Sequence, residues 1–160
     1  MKRLLIVLSF AASALLAAGA SAATTPSGGL IHVYGVSRTT NTNTLLITGA
    51  FATKAVTSNI GKNTGLVTAP NGSFKVNLTK LNNSPGSGSL NAKTCSGAFI
   101  VKGPITLFGG TGAYAGISGT IKLAETFAAI VPRKANGKCN GNANPTVSVS
   151  FFQGSGTVSF

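Results

Sequence analysis

The chain has no aspartate and a single glutamate, Glu125, against 13 lysines and arginines. It also has no tryptophan, one histidine and two cysteines. Each scarcity removes a class of chemistry. Paired-carboxylate hydrolysis needs two acids. A Ser-His-Asp triad lacks its aspartate. A calcium site built from several carboxylates cannot be assembled. Two thiols and one imidazole are a thin donor set for zinc. No metal and no cofactor is therefore expected.

What is present begins with an address. Lys2 and Arg3 precede an apolar run over residues 4–18, and Ala20-Ser21-Ala22 follow as a small-residue cleavage site. This three-part pattern predicts a secretory signal peptide over residues 1–22, because the run is too short to span a bilayer as a helix. The remainder, residues 23–160, reads as one domain, secreted or periplasmic. No later segment is long and apolar enough for a membrane-spanning helix. Losing Lys2 and Arg3 takes the net charge from +12 to +10. An oxidising compartment leaves Cys95 and Cys139 only one internal pairing, the alternative being two buried free thiols. That disulfide would close a loop worth about 4 kcal/mol of chain entropy.

The mature chain reads as all β. Gly, Thr, Ser and Asn dominate, and they disfavour helix interiors. Period-2 alternation marks half-buried strands. Phe74, Val76 and Leu78 alternate with polar neighbours. So do Val147, Val149 and Phe151, and so do Ile121, Leu123 and Phe127. Further strands are expected at residues 30–36, 44–53, 97–102, 105–108, 128–131 and 156–160. Turn clusters at 70–72, 84–89, 109–112 and 136–145 separate them. Residues 81–93 show no periodicity and read as a flexible surface loop. About eight short strands at this spacing predict a single antiparallel barrel or a sandwich.

The most specific segment is residues 102–123, KGPITLFGGTGAYAGISGTIKL. Glycines suit its tight turn because positive φ is cheap only for them. Tyr114 can then fold back over a barrel end. Gly116 and Gly119 can relieve crowding where a strand bends or another backbone approaches. Gly109, Gly110, Thr111, Gly112, Tyr114, Gly116 and Gly119, followed by Lys122 and Leu123, resemble a motif of the allene oxide cyclase and dirigent-protein superfamily. Gly103-Pro104 is similar to the cyclase branch. The resemblance covers about 30 residues and implies an eight-stranded antiparallel barrel with an apolar lumen, trimeric in some members. It does not carry over the chemistry. The cyclase's luminal Glu and Asn on early strands have no acid counterpart at residues 31–38, and the luminal Asp residues of dirigent proteins are missing. The glycine-rich turn lacks the following helix and the Gly-Lys-Ser/Thr of a phosphate-binding loop.

Glu125 and Tyr114 are the weak catalytic candidates. Counted by two, Glu125 shares the phase of Ile121, Leu123 and Phe127. A carboxyl on that apolar side would be a proton carrier in a cavity, with its pKa raised. An ion pair with a neighbouring lysine, or a strand-end bulge, is the competing reading. His32, on the first strand, reads as a surface or rim residue. The terminal phase of Phe152, Val158 and Phe160 suits a closing strand of a soluble barrel better than an outer-membrane barrel, which would carry aromatic girdles. Lysines and arginines are spread along the chain in blocks of no more than two. Nucleic-acid binding, which concentrates charge on one face, is not expected. The charge serves solubility and acid tolerance, or a loose attraction to anionic envelope surfaces. The favoured function is non-catalytic binding of a small apolar molecule in the barrel. The alternatives are a structural or envelope-associated protein with a filled barrel and a cofactor-free isomerase or cyclase. The sequence leaves the oligomeric state open.

Overall fold

A computed structural model describes residues 26–37 and 42–160. The expected signal peptide, residues 1–22, lies outside these, as does Arg38. The chain forms β1 (Gly29–Ser37), β2 (Thr42–Gly49), β3 (Thr53–Gly61), β4 (Thr64–Ala69), β5 (Gly72–Asn77), α1 (Thr79–Asn82), β6 (Ser87–Asn91), β7 (Ser96–Phe108), a 3₁₀ turn (Gly112–Tyr114), β8 (Ser118–Ile130) and β9 (Val147–Ser159). The strands lie in the order β5-β4-β3-β2-β1-β9-β8-β7-β6, and β5 also pairs with β7. That last pairing closes eight strands into an antiparallel barrel. β6 is a ninth strand laid along the first half of β7.

Small alternating side chains let such a barrel close, and eight strands leave an interior that side chains fill or that holds one small ligand. One end is filled. Ile31, Ile47, Phe74, Ile121 and Val158 are buried to within 2 % exposure. Above them Tyr114 sits between Phe51 and Phe74, with ring centroids 5.5 and 5.4 Å away. Phe160 packs edge-on against Phe51. The folding back of Tyr114 over the barrel end is thus observed. The glycine turn makes it fit: a Cβ on Gly110 would stand 1.7 Å from the Tyr114 carbonyl oxygen. Gly112, at φ +60, brings its backbone against Asn71 of the β4–β5 turn.

Cys95 and Cys139 form a disulfide with Cα atoms 5.3 Å apart. It ties the start of β7 to the long β8–β9 connection, and Cys95 is buried.

The structure departs from the sequence reading in four places. β3 and β4 are separate strands that the Thr-, Ser- and Asn-rich sequence at 53–69 conceals. The supposed loop 81–93 carries the end of α1 and all of β6; Leu81 anchors it, buried in the core. The segments expected at 97–102 and 105–108 are one strand, β7, running through Gly103-Pro104, and β8 and β9 likewise absorb the short strands expected beside them. Finally, the phase of β9 is reversed at its start. Ser150 is buried, whereas Val147 and Phe151 are 62 % and 53 % exposed. The inward set is Ser148, Ser150, Phe152, Gly154, Gly156 and Val158, in line with the neighbouring inward residues of β1 and β8.

Among the described residues no helix is long and apolar enough to cross a membrane. The barrel wall is apolar inward, and Lys54, Lys75, Lys102 and Lys122 point outward from it.

Candidate functional site

The interior is filled at the Tyr114 end and hollow at the other. A cavity of about 380 Å³ runs from the core to the end where β1, β3, β5 and β8 finish. It reaches the surface beside the exposed residues Asn59, Lys62 and Asn82. Its floor is Val33, Leu45, Val67, Val76, Ile105 and Leu123. Gly65 lines the cavity without a side chain, and Val76 of β5 packs close over that position.

Above this floor lies a polar band. Ser150 of β9 pairs with Ser37 of β1, which pairs with Asn43 of β2, which pairs with Thr57 of β3. These four residues form one cross-strand row on the lumen side. The Asn43 amide donates to the Thr57 hydroxyl at 3.0 Å. One row deeper the same strands present Phe152, Gly35, Leu45 and Ala55. Glu125 belongs to this deeper row, opposite Phe152. It lines the cavity, half-buried, and accepts a hydrogen bond from the Ser150 side chain. Burial raises its pKa above the usual carboxylate value, and the Ser150 bond opposes this in part. The luminal reading of Glu125 is therefore the one the geometry supports, with the carboxyl on the cavity wall.

Tyr114 does not join it. The ring is buried in the plug, below the cavity floor, and does not line the cavity. The two catalytic candidates are thus at different levels of the barrel. His32 faces outward into a shallow groove on the wall with Tyr34, Lys102 and Lys122. Among the described residues no group of three or more His, Cys, Asp or Glu side chains is placed to hold a metal. The residues that sequence reasoning missed are Ser37, Asn43, Thr57, Ser148 and Ser150. Their only signal was inward phase, and the apolar Val147, Val149 and Phe151 masked it on β9.

Comparison with family models, with curated proteins and with solved structures finds no match to this chain.

Proposed function

We propose that the barrel is a non-catalytic carrier or sensor of a small, largely apolar molecule, acting outside the cytoplasm. The observation that supports it is the cavity: about 380 Å³, apolar below and ringed by hydrogen-bonding groups above. Ligand sites commonly take this form, a mostly apolar pocket with a few placed polar groups that set orientation. The space equals that of about a dozen waters at about 30 Å³ each. It suits a compact body with a single polar end, the body on Leu45, Val67 and Leu123 and the end at Glu125 and the serine row. A barrel filled throughout by side chains would serve only as scaffold, and this lumen is not filled. The extracytoplasmic setting rests on the leader-like residues 1–22 and is in keeping with the disulfide. The likeness to allene oxide cyclases and dirigent proteins rests on residues 102–123, and a barrel is the fold it implied.

A second reading draws on Glu125. A lone carboxyl on the cavity wall beside an apolar floor is a group that takes a proton from one position of a bound molecule and returns it to another, which is a cofactor-free isomerisation. In that reading Glu125 touches substrate and Tyr114 only closes the barrel.

Native mass spectrometry of the protein purified from its own host tests the first reading. A releasable adduct on the order of a few hundred daltons is expected, as a pocket of this size would hold. A clean polypeptide mass, together with no uptake of the apolar dye N-phenylnaphthylamine, would transfer the protein to the scaffold class. Conversion of the released molecule to an isomer by wild-type protein, abolished in Glu125→Gln, would establish the second reading instead.

A further inference from the structure

The β8–β9 connection is a compact knob. Arg133 and Cys139 form an isolated antiparallel bridge, and the Lys134 and Lys138 backbones are hydrogen-bonded within it. The Arg133 guanidinium donates to the Gly137 carbonyl at 2.6 Å and reaches across to the Lys93 carbonyl. With the Cys95–Cys139 disulfide, these bonds dock the knob on the turn before β7. Residues forty and more positions apart in sequence thereby meet: Lys93, Arg133, Lys134 and Lys138 are all exposed at one corner of the molecule. No side-chain carboxylate offsets them, because the chain's one acid, Glu125, faces the lumen.

Beside the knob the barrel wall is apolar. Ile130 and Val147 are cross-strand partners at its base, 45 % and 62 % exposed. Phe151 and Ile100 continue the patch, both flanking Thr126 on β8, at 53 % and 39 % exposure. Charge and apolar surface are separately unremarkable, but their adjacency fits one kind of partner. An anionic polymer would use the cations and leave the wall wet. A second copy of the chain would bury the wall while setting like charges near each other. A bilayer with anionic headgroups satisfies both, taking phosphates on the lysines and the apolar side chains at the headgroup boundary.

We propose that the disulfide-clasped knob and the adjoining wall of Ile130, Val147 and Phe151 form a docking surface for an anionic lipid bilayer. The surface stands at the same end of the barrel as the cavity mouth, so a docked molecule presents its opening near the lipid. Docking itself does not require that the lumen be occupied.

The test is vesicle co-sedimentation of the disulfide-intact mature chain. Binding is expected to phosphatidylglycerol-containing vesicles and not to pure phosphatidylcholine, weakening as salt rises. Lys134→Ala with Lys138→Ala should weaken it about tenfold or more, since each lysine near an anionic surface contributes roughly a fivefold factor. Ile130→Ser with Val147→Ser should weaken it as well, with the circular dichroism spectrum unchanged in both variants. Unaltered binding by the lysine variant, or equal binding to the two vesicle types, would overturn the proposal. Loss with the lysines but none with Ile130→Ser and Val147→Ser would make the partner an anionic polymer. A concentration-dependent dimer that the wall substitutions dissolve, without vesicle binding, would make it a second copy.

Discussion

Glu125 couples stability to pH in the direction opposite to most carboxylates. Its folded pKa is raised, chiefly by burial. Below the unfolded carboxylate value both states hold the proton and the folded state bears no penalty. As pH climbs past that value the unfolded chain ionises first, so stability falls until the folded group ionises too. The melting temperature of the wild type is therefore expected to be higher at pH 3.5 than at pH 7, and Glu125→Gln should flatten this slope in a thermal scan. An unchanged slope in the variant would place the effect elsewhere. Gly110 is decisive in another way. A methyl group there collides with backbone rather than with a flexible side chain. Gly110→Ala should lower unfolding free energy in urea by about 3 kcal/mol, at the upper end of overpacking costs. The motif was legible in sequence as a turn with Tyr114 folding over it. That Phe51 and Phe74 flank that tyrosine, with Phe160 against Phe51, was not, because the four residues come from distant segments.

At the level of strands, alternation located elements better than it oriented them. In β5 and β8 the apolar Phe74, Val76, Ile121, Leu123 and Phe127 face inward, so their phase was correct. β9 begins with apolar residues outside and serines inside, and a hydrophobicity rule assigns it backwards. The register with β1 and β8 decides, since one strand cannot turn over between fixed neighbours. Phe74→Ala should therefore cost about 3–5 kcal/mol, and Phe151→Ser within about 0.5 kcal/mol, as surface changes do. Equal costs by denaturant titration would contradict the observed phase. The disulfide was legible from compartment and count. Its reduction should cost about 4 kcal/mol of stability, read as a lower urea midpoint under dithiothreitol. The gathering of Lys93 with the knob was not legible: along the chain the cations look dispersed, and the Cys95–Cys139 link together with the Arg133 bond to the Lys93 carbonyl brings them together.

Taken whole, the molecule has almost no carboxylates to titrate. Acid unfolding of ordinary proteins proceeds by protonating carboxylates that are paired or hydrogen-bonded in the folded state. Here one side chain is available, and its protonation is tolerated. The mature chain is expected to keep its β-type circular dichroism near pH 2, and a cooperative transition between pH 5 and pH 3 would refute that account. The barrel's closure has a separate consequence, in time rather than in energy. β1, near the start of the described chain, is hydrogen-bonded along its length to β9, at the far end. The seam joins residues more than a hundred positions apart, so its loop-closure entropy falls due late and folding is slow for a chain this size. A chain that emerges N-terminus first, from a ribosome or a pore, holds β1 with one bare edge until the last strand appears. The barrel stays open until β9 has emerged, and that thirteen-residue strand is the event that shuts it.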